Sequence, residues 1–350
     1  MLEKSKVLDL STVLAGPSVA TFFAELGAEV IKVEHPIHRD STRSWRIPGE
    51  KAEVTSYFSS INFKKSLRLL DLLNPQDRIV FHELVVEADV VIMNFKPSDY
   101  PKFQLTDQDL RVLNPRLIIA KISGFGDDAD RVAYDLILQA ETGFMSMNGE
   151  PNSQGLKMPL ALIDVLAAHQ LKEAVLLALL KRQQTGEGSS VSVSLHDAAI
   201  CSLANQASAY LMNGFIPQPI GSIHPNIAPY GEVFTTKDGK SVVFAIGTQQ
   251  QFTHLCEIIG IPNTAQDPRF NENVRRVEHR KELFLLLQAQ VVHMNADELE
   301  KHTRIYRVPM GRIKSLDEVF SQPQAQSLVR EEQQGSTLTK RVSQIAFQWK

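Results

Sequence analysis

The sequence predicts an α/β protein in which a large Rossmann-like parallel-sheet domain is followed by a smaller α+β domain. Three observations predict it. Short apolar runs alternate with helical patterns through the first half of the chain, as in β-α-β units whose parallel strands carry helices on both faces. At 350 residues the chain is long for a single core. Near Ile220 the composition shifts to IPQPIGSIHPNIAP, a linker-like run, ahead of a hairpin signature. The expected boundaries are 1–215 for the large domain, 216–228 for the linker, 229–305 for the small domain and 306–350 for a segment returning to the large one.

Residues 7–10 form the first expected strand. A turn at Ala15, Gly16 and Pro17 opens a helix to about Leu26, Gly27 stops it, and residues 28–33 form the second strand. Pro17 suits the first helical turn and Gly27 the position after the last. The turn lacks G-x-G-x-x-G spacing and is no dinucleotide fingerprint, although amides at a helix start after a strand can hold an anion. Residues 35–65 are polar and irregular. A strand is expected at 67–72, a helix from Asn74 and Pro75 to about residue 88, and a strand at 89–93. Thr106 with Asp109 gives a capping-box signal for a further helix, followed by a strand at 117–122. Ligands of such sheets sit at the carboxyl ends of the strands. Leu72, Leu73, Asn94, Phe95 and Lys96 fall there. Asp135 reads as the N-cap of a helix through Gln139.

Asp164 is the chemical centre of the chain. It stands between apolar residues 160–163 and an apolar helix expected from Val165 to about residue 185. Such a carboxylate is a helix N-cap, a working group, or both, because the amides it would cap would also hold it ionised and aimed outward. The helix is apolar nearly all round at 174–180 and is expected to be buried, in the domain or against a dimer partner. His169 on it reads as packed. Residues 190–194 alternate as a strand, and His196 and Asp197 begin a helix ending at Gly214, with no G-x-S-x-G elbow of a triad enzyme. The hairpin of the small domain turns at Asp238 and Gly239, and helices follow at about 249–259, 280–293 and 296–303.

With a net charge of −3 the chain has no global basic field, so no nucleic-acid partner is expected. The N-terminus lacks a hydrophobic signal core and the longest apolar run, 174–180, is too short to cross a bilayer. A cytoplasmic protein without a membrane partner is expected. Cys201 and Cys256 stand far apart without metal-ligand spacing; they read as buried reduced thiols, and no metal is expected.

The run YDLILQAETGFM, followed thirty residues after its Tyr by Asp164 and then by KRQQTGEG, resembles the class III coenzyme A transferases of the CaiB/BaiF type, which include formyl-CoA transferases and have α-methylacyl-CoA racemases as relatives. VLDLSTVLAGP, FFAELGAEVIKVEHP, ADVVIMNFKP, LNPRLIIAKISGFG, SVSLHDA, APYGEVFTTKDGK and DPRFNENVRRVEHRKEL fall in family order, from about residue 7 to about residue 328. The resemblance implies that Asp164 is the nucleophile. It implies that Leu14 and Ala15 line the coenzyme A site, that Asn94, Phe95 and Lys96 border it, and that Ala133, Tyr134 and Asp135 pack near its thiol end. His35 stands where many members carry an Arg, and Lys102 where an Arg commonly reaches a phosphate. Coenzyme A then enters as a substrate, as acyl-CoA, with a carboxylic acid as acceptor and no covalently bound cofactor. The family's interlocked homodimer is implied as well. Ala168 stands where members often have Gly, so its methyl group is expected to narrow the pocket. Racemase members have His where Tyr134 stands, and Tyr, with a pKa near 10, is a poor base. CoA transfer is therefore favoured over racemisation or epimerisation. A non-catalytic acyl-CoA-binding homologue is the other alternative.

Overall fold

The computed structural model describes residues 2–126 and 129–348. Strand and helix alternate as the sequence predicts. β1 (Lys6–Asp9), α1 (Ala15–Glu25) and β2 (Glu29–Glu34) form the first unit. Pro17 lies in the first turn of α1, where amides have no intrahelical partner and a missing donor costs nothing. α2 (Ser56–Ser60) leads to β3 (Lys65–Leu69), which pairs with β2 from Val30 opposite Lys65 to Glu34 opposite Leu69. The expected strand at 67–72 is thus shifted. β3 is the sheet edge, exposed from residue 66 on, so its register follows pairing with β2 rather than the burial of an apolar run.

α3 (Pro75–Glu87) is capped by the Asn74 side chain, which accepts from Gln76 N at 2.8 Å. β4 (Val90–Met93), α4 (Asp99–Lys102), α5 (Asp107–Leu113) and β5 (Ile118–Ser123) follow, and Thr106 and Asp109 form the expected capping box. Then come α6 (Asp135–Glu141), α7 (Phe144–Met147), α8 (Leu162–Thr185) and β6 (Ser190–Ser194). The single helix expected from His196 to Gly214 is two, α9 (Leu195–Cys201) and α10 (Ala204–Asn213), because Ala204 takes φ 48° and breaks the run.

The strands order as β3-β2-β1-β4-β5-β6, and every pairing is parallel. Successive strand residues serve opposite faces. Val7 and Ile92 pack with α1 and α8, while Leu8, Val91 and Met93 pack with Phe81 and Val85 of α3 and Leu110 of α5. α8 is covered on one side only. Val175 and Ala178 are buried, whereas Leu177 and Leu180 are 69% and 53% exposed, so the expected all-round burial of 174–180 does not hold within the chain. His169, expected to pack, is exposed. Cys256 is buried as expected, but Cys201 lies on the exposed side of α9. Among the described residues no helix is long and apolar enough to cross a membrane.

The chain divides into two compact units: Met1–Met145, Lys157–Pro217 and Gln324–Lys350 form one, and Ser146–Leu156 with Gln218–Pro323 the other. The second is built on the antiparallel strands β7 (Tyr230–Thr235), β8 (Ser241–Ala245) and β9 (Met310–Arg312), with α11 (Gln249–Ile258), α12 (Asn273–Glu278), α13 (Arg280–Val291) and α14 (Ala296–Ile305). Phe234, Phe244, Phe252 and Leu287 centre its core. The hairpin of β10 (Val329–Gln334) and β11 (Thr337–Val342) belongs to the first unit, where Arg341 pairs with Glu25 of α1.

Candidate active site

β1 and β4 lie side by side, and the strand order reverses between them. At such a point the connections leave for opposite faces of the sheet and open a crevice at the carboxyl ends of the strands. Here the crevice holds a cavity of about 320 Å³. Residues 12–15 after β1 wall it on one side and residues 94–97 after β4 on another; Ile122, Ser123 and Gly124 close the β5 end, and Tyr134 and Asp164 complete it. Gly124 is required by close approach. A Cβ there would lie 2.2 Å from that of Ala133, so only glycine lets the 133–134 segment close over the strand ends.

Asp164 is 7% exposed and lies in the first turn of α8. Among the described residues nothing donates a hydrogen bond to its carboxyl group or pairs with it. Burial, reinforced by the nearby charge of Asp135, pushes its pKa up to about 7. It is not the N-cap that its position suggests. α8 starts at Leu162 rather than Val165, its N-cap is Ala161, and no side chain of its own caps it. The cap comes from Asp135, whose Oδ1 accepts Ile163 N at 2.7 Å and Asp164 N at 3.3 Å. Asp135 does not cap its own helix either. It is the first residue of α6, after Tyr134. Gln139, one turn on and 1% exposed, steadies it by donating to Asp135 Oδ2 at 2.6 Å and accepting Met158 N at 2.8 Å. The amides expected to hold Asp164 ionised are therefore engaged elsewhere, which leaves its carboxyl group in a poorly solvated place where it ionises only near neutrality.

Tyr57 on α2, a residue that sequence reasoning missed, lines neither cavity but lies within electrostatic reach of Asp164 and Asp135. Its pKa is pushed up to about 12 by burial and by the charges of Asp164, Asp135 and Asp40, so its hydroxyl stays protonated. It lay unremarked in the polar 35–65 stretch, where the aromatic run Tyr57-Phe58 after a capping Thr55 was the only signal. Trp45 meets its ring edge-on at 5.1 Å between centroids.

Of the residues singled out from sequence, Leu14, Ala15, Asn94, Phe95, Lys96, Ala133 and Tyr134 share the cavity wall with Asp164. Asn94 also holds the wall, since its side-chain amide accepts Thr12 N at 3.0 Å and donates to Thr12 O at 2.9 Å. His35 and Leu72 line a smaller cavity of about 120 Å³ that shares Thr12 and Phe95 with the first. His35 Nδ1 accepts the amides of Ile37 and His38, each at 3.0 Å, so the ring is built into a turn. Leu73, 49% exposed, lines neither cavity, and nor does Lys102, whose Nζ lies 5.1 Å from the centre of the Phe103 ring. Ala168 packs in the core at 1% exposure instead of lining the cavity, so its methyl group does not narrow the pocket.

The model of CoA-transferase family III matches residues 2–349 of the chain. A succinate–glutarate CoA-transferase of Agrobacterium fabrum is 38% identical, over 92% of this chain and 82% of that one. An acetyl-CoA:oxalate CoA-transferase of Acetobacter aceti is 34% identical, over 91% of this chain and 82% of that one. Among solved structures, a CaiB/BaiF family protein from Brucella suis superposes with a TM-score of 0.84 at 34% identity, covering 99% of this chain and 91% of that one.

Proposed function

The chain belongs to CoA-transferase family III and is a CoA-transferase, and from that premise we propose that it moves coenzyme A from an acyl-CoA thioester to a free carboxylic acid through Asp164. One observation carries the reading. At the switch-point cavity stands a carboxyl group without a hydrogen-bond partner among the described residues, whose ionisation falls near neutrality. An acid so poorly solvated is a stronger nucleophile once ionised than one held by amides or cations.

The Asp164 carboxylate attacks the donor carbonyl, a C–O bond forms as the C–S bond breaks, and CoA thiolate leaves behind an acyl-aspartyl anhydride. The thiolate attacks the aspartyl carbonyl of the anhydride, releasing the donor acid as its carboxylate and leaving an aspartyl-CoA thioester. The acceptor carboxylate repeats these two steps in reverse, so Asp164 is regenerated and no proton is gained or lost overall. Each tetrahedral state carries an oxyanion that calls for a donor. The Tyr57 hydroxyl, protonated and close enough to feel the Asp164 charge, supports that role. The uncapped start of α1 at Leu14 and Ala15 supports binding of the coenzyme, since helix-start amides favour anionic or backbone-like partners.

The names of the two enzymes compared above contain succinate, glutarate and oxalate, which supports a dicarboxylate acceptor. A homodimer is supported by the uncovered apolar side chains of α8 to α10 and the residues after it, Leu177, Leu211, Met212 and Ile216 among them. A cytoplasmic setting is supported by the two unpaired cysteines. Racemisation would call for a second base, and the cavity lining offers Tyr134 rather than a histidine.

The test is a matrix of acyl-CoA donors against dicarboxylic acids, read by mass spectrometry, with intact-protein spectra searched for a CoA adduct on Asp164. Asp164→Ala and Asp164→Asn, with deamidation excluded, are expected to abolish both transfer and adduct. Full transfer by either variant would end the nucleophile assignment.

A further inference from the structure

We propose that Lys32 is a positioning residue for the acyl-CoA substrate, acting through the loop of residues 11–13 that leads into the cavity wall; this rests on the reading of that cavity as the acyl-CoA site. Lys32 lies on β2 at 1% exposure and touches neither cavity. Its Nζ donates to Ser11 O at 2.8 Å and stands 3.4 Å from Asp40 Oδ2 and 3.7 Å from Asp9 Oδ2. A second lysine joins from the sheet edge. Lys65 Nζ donates to Asp9 Oδ2, Pro17 O and Ile61 O, each at 2.8 Å. All four charged side chains are at most 2% exposed. Burial alone would raise the pKa of Asp9; Lys32 and Lys65 together outweigh it and hold the carboxyl group below its ordinary range.

Well-packed apolar groups stabilise a core about as well as buried ion pairs do. Four buried charges at one place are better explained by the single geometry they enforce, and that geometry is the loop. Val13 takes φ 73°, a left-handed conformation that a β-branched residue adopts only when its surroundings compel it. The surroundings do so completely. Asp9 accepts Ser11 N at 3.0 Å, Lys32 holds Ser11 O, Asn94 takes both Thr12 N and Thr12 O, and Asp40 accepts Val13 N at 3.3 Å. Each backbone polar group from Ser11 N to Val13 N is thereby tied to a side chain. Thr12 and Val13 are themselves cavity wall, and so are the next two residues, Leu14 and Ala15.

Without the Lys32 ammonium, Ser11 O loses its donor and Asp40 its cation, and Val13 is free to relax to an extended conformation. That would carry Leu14 and Ala15 away from their places on the wall. Asp164 sits on α8, an element this loop does not build, so the chemistry of bound substrate is expected to survive while binding weakens.

The experiment compares wild type, Lys32→Met and Lys32→Met/Asp40→Asn by thermal denaturation, by calorimetric titration with CoA, and by steady-state transfer. The single variant leaves buried carboxylate charge uncompensated and is expected to lose stability; the double variant, neutral at that pair but with one acceptor oxygen where Asp40 offers two to Val13 N and Thr42, recovers part of it. Both are expected to bind CoA about tenfold more weakly, or ~1.4 kcal/mol, with KM raised to match and kcat at saturation unchanged. A purely structural lysine would move the melting temperature and leave that split absent. A folded double variant with wild-type CoA affinity and KM overturns the role of Lys32 alone, whereas a wild-type protein that neither binds CoA nor transfers it overturns the reading of the cavity beneath it.

Discussion

The Asp135 carboxylate accepts the backbone amide of Asp164 at 3.3 Å, so the acid that caps helix α8 is also the charge that opposes ionisation of the acid α8 carries. Asp135→Asn separates these two effects, because it keeps an acceptor oxygen and removes the charge. Burial is the larger cause of the raised Asp164 pKa and Asp135 the smaller, so the variant should lower that pKa without restoring an ordinary one. As the proposed nucleophile, Asp164 would attack only when ionised. The acid limb of the kcat/KM profile, expected near pH 7 in the wild type, should therefore move to lower pH in Asp135→Asn. An unmoved limb would mean that Asp135 does not act on Asp164 through its charge.

The same pKa sets a cost in stability. In the unfolded chain Asp164 ionises near 3.9, while in the folded protein it stays neutral to about 7. Between those values the folded state binds the proton and the unfolded state does not, so stability falls as pH rises, by about 1.4 kcal/mol per pH unit for this group. Asp164→Asn has no such dependence. Its melting temperature should match the wild type near pH 4, exceed it increasingly up to about pH 7, and keep a constant margin above. Parallel melting curves across that range would show that Asp164 is not desolvated in the native state.

Much of this could be seen in the sequence because it is local. Strand-turn-helix alternation places Asn94, Phe95 and Lys96 after β4 and Leu14 and Ala15 after β1, and the strand order then brings those two loops to one crevice. What escaped is long-range. Asp164 looks like an N-cap because Asp beside a helix start usually is one; nothing nearby reveals that Asp135, 29 positions earlier, already fills that place. Tyr57 on α2 comes within electrostatic reach of the two acids by tertiary folding, across a polar stretch that has no periodicity to read. Cys201 ends α9 on its exposed side, and the α9–α10 break at Ala204 turns on one backbone angle; composition reports neither.

Tyr57→Phe tests whether the Tyr57 hydroxyl serves the transition state. Removing one oxyanion donor commonly lowers kcat by about a hundredfold, and a loss of about tenfold to a hundredfold is expected here. The KM for acyl-CoA should stay close to wild type, since the phenyl ring keeps its edge-on packing with Trp45. A raised KM with normal kcat would instead make Tyr57 part of the substrate-binding wall.

Gly16→Ala sets helix propensity against the packing of the loop before α1. In an ordinary helix the change stabilises by about 0.5–1 kcal/mol, because alanine loses less backbone entropy on folding. Here the added Cβ would lie 2.3 Å from both Cβ and Oγ of Ser11, a residue fixed by Asp9 through its amide and hydroxyl and by Lys32 through its carbonyl. Since Ser11 cannot retreat without breaking buried charged contacts, the clash should win. Gly16→Ala is expected to lower the melting temperature and raise the KM for acyl-CoA together. Ser11→Gly added to it removes the obstructing atoms and should recover much of the stability. A stabilised Gly16→Ala protein would show that the loop yields easily, and that the buried charges beneath it do not hold Ser11 in place.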